Sequence, residues 1–448
     1  MARRRRIWRV LLGILGSGMI LLVLAAWPGC TTYTVSPETT GITAPLDKRG
    51  FVDYPTALNE RLREGVTPEN NANVLIWKVL GPRPEGGNGM PPEYFRWLGI
   101  EEPPAEGDYW VNWKRYFDAN FPRDDHDKWL QAHDLVSDMA KWPWAAKEQP
   151  LLAVWLRQND KQLALVIEAT KREQYYNPLV PSRTEEWSAS LLSCLLPNVQ
   201  RCRELAAALL CRAMLRTHEG TIEGALSDLF AVYRLGRLVG RGGTMIEALV
   251  GFALEGIANK GTITLLSSGE LSAAQLRAFE RELNGLPTRT RIADKINLTE
   301  RFLYLDTVRL IAEQGTPFLE SLVKDSPTQA PQHSGFQDRL FTRSINWDPA
   351  LRNAHRWYDR IVAAGRIGDR PAREEEMNSI RDDIRAFKQD FGPKYAAGVY
   401  FGGPTKRGEV IGMLLLGLLL PALDKVQDAQ DRYDQWDRNM RVAVALAA

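Results

Sequence analysis

Cysteine is scarce, with four in 448 residues: Cys30, Cys194, Cys202 and Cys211. The last three are eight and nine residues apart, so on one helix neighbours are separated by about 12 Å or more of rise. Unless Pro197 bends the first pair they cannot bridge one another, and they read as small core residues. In an oxidising compartment three such thiols are expected to be buried. Period-two alternation is missing too, which argues against a sheet-based fold. Catalytic signatures are missing as well: there is no G-x-S-x-G and no H-E-x-x-H. Ser321 and Lys324 have Ser-x-x-Lys spacing without the companion penicillin-binding motifs. Charge of one sign is also lacking. Net charge is +2, and setting aside Arg3, Arg4, Arg5, Arg6 and Arg9 leaves 52 basic against 55 acidic residues, about −3. That balance gives no footprint for nucleic acid.

What is present is helical periodicity. With 44% hydrophobic and 25% charged residues the chain has the composition of a folded protein that buries a core. Its organising stretch is Leu195 to Val239. Leu195, Val199, Cys202, Ala206, Leu209 and Ala213 form one helical stripe, and a break follows at His218-Glu219-Gly220. Ile222, Ala225, Leu229, Val232 and Gly236 form a second stripe. Two such helices predict an αα-hairpin whose apolar stripes face each other, with small Ala213 and Ala225 at a close crossing, in the manner of a tetratricopeptide unit.

The N-terminus carries five Arg followed by an apolar run from Val10 to Trp27. Eighteen residues exceed a usual signal-peptide core and are long enough to span a bilayer. The Arg cluster would stay cytoplasmic, placing the body on the extracytoplasmic side. Two rivals stand beside this anchor. A cleavage site after Ala26 has Leu24 where a small residue is wanted, and a lipoprotein reading at Cys30 has Trp27 three positions before the cysteine.

The expected fold is all-α: a single-span anchor followed by an irregular array of helical hairpins with a tetratricopeptide-like centre. Residues 1–30 form the anchor or signal segment, 31–47 an extended linker, and 48–181 a Trp-rich helical lobe. Residues 182–288 form the hairpins, and 289–448 C-terminal hairpins with an apolar helix at 410–423. In the lobe, Thr67 and Pro68 are expected to open a helix that Gly81-Pro82 stops. Further helices are expected at 109–119, 125–141 and 150–174. Ser272 and Gln275 form a capping box, with Leu271 and Leu276 as its hydrophobic staple. Helices at 290–314 and 317–324 and a polar loop from Asp325 to Ser344 lead to a second hairpin. There Asp348-Pro349 opens a stripe of Leu351, Ala354, Tyr358 and Ile361, and the partner stripe is Met377, Ile380, Ile384, Phe387 and Phe391. Val410–Leu423 contains Pro421 and is short for a span, so a buried or interfacial helix is expected.

Three segments carry a resemblance: Thr67 to Trp77, Glu168 to Val180, and Gly240 to Gly251. With the Arg-rich anchor they resemble an uncharacterised family of bacterial envelope proteins whose members often continue past this C-terminus. The family has no assigned reaction or catalytic residues, so the resemblance implies a location and a helical build and transfers no site.

Each candidate for chemistry has a plainer structural reading. Asp124, Asp125, His126 and Asp127, with His133 and Asp134, are the densest group of metal-ligand residue types. Neighbours on a helix diverge, however, so they read as a solvated helix start. Gly240-Arg241-Gly242-Gly243-Thr244 precedes a helix and could offer amides to a phosphate or carboxylate, but it lacks the Lys and spacing of a Walker loop and reads as a turn. His218 sits in a last helical turn. Trp97, Trp110, Trp113, Trp129, Trp142, Trp144 and Trp155 could stack on sugar rings beside a carboxylate pair, yet Trp at helical spacing is more often a core anchor. No catalytic residue, metal site or cofactor is therefore assigned. The expected role is a membrane-anchored extracytoplasmic scaffold holding a protein or peptide partner, with an envelope glycan-binding protein or glycoside hydrolase as the alternative. The expected partners are the membrane, through residues 10–27, and an envelope protein.

Overall fold

A computed structural model describes residues 32–84, 89–120, 134–181, 190–314, 345–389 and 402–447. Among the described residues regular structure is helical, and strand pairing is limited to isolated bridges such as Asn71 with Gln174. The chain divides into two units: residues 54–300 with 422–448, and residues 1–53 with 301–421.

In the larger unit the helices in chain order are α1 (Tyr54–Leu62), α2 (Ala72–Leu80), α3 (Pro92–Leu98), α4 (Trp113–Asn120), α5 (Pro150–Gln158) and α6 (Asp160–Ala169). They are followed by α7 (Pro197–His218), α8 (Ile222–Val239), α9 (Met245–Ser268), α10 (Ala273–Asn284) and α11 (Ile292–Lys295), which runs into a π turn at Ile296–Glu300. The expected hairpin is α7 and α8, and its stripes face inward: Val199, Cys202, Ala206, Leu209, Ala213, Ala225, Leu229 and Val232 are buried. Leu195 is the exception, exposed because the helix begins only at Pro197.

Helix α9 packs on both members of the hairpin. It is apolar around its circumference, which is why it lies inside. A methyl on Gly251 would sit 2.7 Å from the Gly236 carbonyl and 2.8 Å from Gly240 Cα, so the backbones of α8 and α9 meet where side chains are absent. Polar groups drawn into this interior are paired. Asp228 takes Nε and Nη2 of Arg212 at 3.0 and 2.7 Å and Nη1 of Arg216 at 2.8 Å. Glu255 is bound by Arg289, which also reaches Asp434 and Asp437 on the C-terminal helix, Gly403–Ala447.

Several helix starts differ from expectation because tertiary partners decide them. Helix α2 begins at Ala72, not Pro68. Thr67 and Asn70 close a turn with each other, and Asn71 caps the helix, accepting from Asn73 N at 3.1 Å. The single helix expected at 150–174 is two, α5 and α6, meeting at Asn159. Ser272 and Gln275 form the expected box with both arms made. A second box, Thr244 with Glu247, opens α9.

In the smaller unit, α12 (Arg301–Gln314), α13 (Asp348–Gly365) and α14 (Arg370–Gln389) pack in sequence order, α13 touching both others. The α13 stripe of Leu351, Ala354, Tyr358 and Ile361 is buried, as are Met377 and Ile380 of α14. Ile384 is half-buried; the Phe387 side chain and Phe391 lie outside the described residues. The segment after Thr32 is fastened to α13: Trp347 N donates to Thr32 O at 2.9 Å, and Thr34 N to Asp348 Oδ1 at 2.9 Å. Asp348, expected to open its helix, thus spends a carboxylate oxygen on another segment. Val410, Ile411, Leu415 and Leu416 of the C-terminal helix are buried here, as expected for a core helix.

Two fold expectations are corrected. Among the described residues no helix is long and apolar enough to cross a membrane. The single-span anchor, the membrane contact through residues 10–27 and the extracytoplasmic placement built on it are therefore withdrawn; residues 10–27 themselves lie outside the described residues. The apolar helices that are described bury their side chains against protein, and α9 carries Glu247 and Glu255 within its length. The tetratricopeptide-like centre is also corrected. Helices α7, α8 and α9 have 22, 18 and 24 residues and touch one another as a trio. A tetratricopeptide array instead repeats a two-helix unit of about 34 residues at fixed period.

Candidate functional site

A cleft in the larger unit is built on four residues that form no helix, Tyr109 to Asn112. Trp110 N donates to Val79 O at 2.8 Å, and the Asn159 amide holds Val111 from both sides, accepting from its N–H at 3.1 Å and donating to its carbonyl at 3.2 Å. Trp155 Nε1 donates to the same carbonyl at 2.7 Å. This pairing accounts for the break between α5 and α6: Asn159 serves a segment 48 residues away. Asn112 then caps α4, accepting from Arg115 N at 2.8 Å, which turns Trp113 inward and Lys114 and Arg115 outward.

The floor is aromatic. Trp155 meets Trp110 and Trp113 edge-to-face at centroid distances of 5.3 and 5.4 Å, and Phe117 lies 5.9 Å from Trp113. Above it opens a cavity of about 610 Å³ whose charged lining is Lys114, Arg115, Arg201 and Arg203 against Asp118 and Glu204. Arg201 is ion-paired with Glu204. Arg115 and Arg203 are exposed and have no acidic partner among the described residues. On the other side of the 109–112 segment is a second cavity of about 340 Å³, with Arg83, Pro82, Tyr109 and again Trp110, Asn112 and Arg115 in its wall.

A second cluster lies buried at the meeting of α2, α7, α9 and the 170–181 segment. The three sequence segments that carried the family resemblance all converge on it. Asn177 donates to Glu247 Oε1 at 2.8 Å and accepts from Tyr94 Oη at 2.6 Å; Trp77 Nε1 donates to that phenol at 2.8 Å. Asn198 donates to Asn73 Oδ1 at 2.9 Å, and Asn71 exchanges two hydrogen bonds with the Tyr176 backbone. Burial pushes the Glu247 carboxyl upward despite its donors, and lowers Lys295 to about 8. Lys295 donates to the Gly242 carbonyl, and Thr299 to that of Gly243 at 2.7 Å. None of the residues lining the cleft belongs to this cluster, and its hydrogen bonds, which leave only Asn198 Oδ1 among these side-chain atoms without a donor, fasten the loop to the helices.

The glycine-rich loop, weighed as an anion seat, is occupied by the chain's own carboxylate: Glu247 Oε2 accepts from Thr244 N at 2.8 Å. Asp124, Asp125, His126, Asp127, His133, Trp129, Ser321, Lys324 and Cys30 lie outside the described residues, and Asp134 is exposed. Among the described residues no three His, Cys, Asp or Glu side chains are placed to hold a metal. Cys202 and Cys211 are buried free thiols and Cys194 is half-buried; burial pushes the Cys202 thiol up to about 12. His218 is exposed at the end of α7.

Of the tryptophans weighed as a sugar platform, Trp110, Trp113 and Trp155 come together, while Trp144 is buried elsewhere, donating to Cys211 O at 3.1 Å. Trp97 is half-buried and Trp142 exposed. The glycan-binding or hydrolase alternative is corrected on this geometry. Trp155 is 1% exposed and Trp110 and Trp113 8% each, packed edge-to-face as core anchors, and of the two acids at the cavity Glu204 is spent on Arg201, so no pair of carboxylates stands over the rings for hydrolysis.

The basic residues Arg83, Arg115, Arg201 and Arg203 were missed, being scattered over 120 residues. The local signal available was Asn112 as a cap immediately before Trp113. No family model, curated protein or solved structure matches the chain. The resemblance to an envelope family is therefore withdrawn, and with it the anchored scaffold role and the envelope partner.

Proposed function

We propose that the protein binds a small organic anion with an apolar body, seated in the cleft over Trp110, Trp113 and Phe117. The observation that carries this reading is the pairing of an aromatic floor with a rim on which cations outnumber carboxylates. Arg115 and Arg203 supply charge no internal acid offsets. An apolar body entering the cavity sheds water from its own surface and the floor, contributing about 25 cal/mol per Å² removed. A carboxylate, sulfonate or phosphate on it meets the guanidinium groups in charge-assisted hydrogen bonds. At about 610 Å³ the cavity falls in the range that takes small ligands.

The test is calorimetric titration with 2-naphthyl phosphate and with neutral 2-naphthol. A saturable heat is expected for both, tighter for the phosphate, with the difference shrinking at high salt. Replacing Arg203 by Glu should weaken the phosphate roughly 10-fold or more while sparing the naphthol, since a hydrogen bond to a charged group contributes about 1.5–3 kcal/mol. No saturable binding of either compound, or equal affinity for both, would reject the reading.

A further inference from the structure

The two cavities share a wall. Trp110, Asn112 and Arg115 line both the larger, aromatic-floored one and the smaller one behind it. The smaller is different in character: its charged lining is Arg83 and Arg115, with no carboxylate among the residues around it. Both guanidinium groups are exposed, and neither has an acidic partner among the described residues.

That wall is held in place from several directions. The Tyr109 ring is packed between two glycines: a methyl on Gly81 or on Gly107 would lie 2.7 Å from ring carbons, so a side chain at either would displace it. Gly81 also has φ +74°, a conformation that L side chains rarely adopt. The Tyr109 hydroxyl donates to Pro104 O at 2.7 Å, and Pro82 and Pro84 stiffen the opposite side. Trp110, at 8% exposure, has an indole N–H with no acceptor among the described residues, and a buried donor of this kind favours an acceptor brought by a ligand.

Resting on the binding reading above, we infer that the smaller cavity is an anion subsite of the same ligand, which lies across Asn112 with its apolar body on the tryptophans and a terminal phosphate or carboxylate between Arg83 and Arg115. The ligand class is thus an elongated amphipath, an apolar group joined by a short chain to an anion. Arg115, common to both cavities, is the specificity-determining residue: it reads the charge at the junction, while Arg83 sets how far the charge stands from the body. A ligand whose anion sits directly on its ring reaches Arg115 but leaves Arg83 unused.

The experiment is a calorimetric series of ω-(2-naphthyl)alkyl phosphates with one to six methylenes, alongside 2-naphthol and inorganic phosphate, on the full chain. Affinity is expected to pass through a maximum at one chain length. There it should exceed that of 2-naphthol by on the order of 10²-fold, as expected when a second contact becomes intramolecular. In Arg83→Glu that maximum should collapse to the level of the shortest phosphate, with 2-naphthol unchanged; its thermal melting, followed in parallel, should match the wild type because Arg83 is exposed. A flat length series, or a maximum that survives Arg83→Glu, overturns the inference and leaves the binding reading standing. If neither 2-naphthol nor any phosphate binds, both fall. Inorganic phosphate should compete with the optimal compound but not with 2-naphthol, and competition with both would also overturn the two-part site.

Discussion

Removing the carboxylate of Asp228 tests how the core of the larger unit is held. Asp228 is fully buried and accepts from three donors, two on Arg212 and one on Arg216. Arg212 is itself 6% exposed, and its other acidic partner, Asp160, is 56% exposed and well screened. Asp228→Ala therefore strands a guanidinium inside the protein. Breaking one member of a buried pair costs about 3–5 kcal/mol, most of it the unpaired charge. For a unit of this size each kcal/mol lowers the melting temperature by roughly 2–4 °C, so a fall of roughly 6–20 °C is expected. Because the penalty belongs to the orphaned charge, the double variant Asp228→Leu with Arg212→Met should recover most of it, as apolar replacements of buried pairs often do. Arg216, partly exposed, turns to solvent in that variant. Urea unfolding followed by far-UV circular dichroism reads both effects as shifts in midpoint at constant slope. A single variant costing under about 1 kcal/mol, or a double no more stable than the single, would refute the reasoning.

Two further outcomes follow from packing and protonation. Gly251→Ala places a methyl against backbone atoms at 2.7 and 2.8 Å, where nothing flexible can yield, and should cost about 1–3 kcal/mol. Gly368→Ala, with nothing within 4 Å, should be close to neutral in the same urea assay, and equal effects at the two glycines would contradict the close crossing of α8 and α9. In the smaller unit His355 sits between the Thr39 carbonyl, 3.0 Å from Nε2, and Arg301 Nη1, 3.3 Å from Nδ1. Burial, then the Arg301 charge, hold its pKa below the usual value of about 6.5. A depressed folded pKa means the unfolded chain takes up the proton first. The stability from this group is thus complete above about pH 6.5 and is lost as pH falls through the lower folded value. His355→Gln should flatten that part of the profile when denaturation midpoints are compared between pH 7.5 and 5, and an unchanged acid slope would exclude His355 as its source.

How much of the site could be read beforehand varies with the residue. Trp113 and Trp155 stood out as members of a Trp-rich lobe, although the helix expected at 109–119 ran through Asn112, which instead caps α4. The cleft itself did not, because Asn159 pins Val111 from 48 residues away and leaves no periodic trace. Arg83 and Arg203 look like ordinary surface charges until folding places each at the edge of a cavity. The resemblance segments behaved in the opposite way. They do converge, through Asn71, Asn73, Asn177 and Glu247, but on a buried framework whose polar groups are largely spent on one another.

What depends on near neighbours was legible in the residues: that the chain is helical, that α7 and α8 fold back on their apolar stripes, and that Ser272 with Gln275 opens a helix. These rest on three- and four-residue periodicity and on side-chain to backbone hydrogen bonds within one turn. Long-range contacts alone settle where α2 begins, with Asn71 held by the Tyr176 backbone, and why a helix stops at Asn159. The tertiary structure alone gathered the arginines around the tryptophans. Each of these depends on a hydrogen bond or ion pair between residues far apart in the chain, where the competing local preference is worth only a few tenths of a kcal/mol per residue and yields to a buried partner.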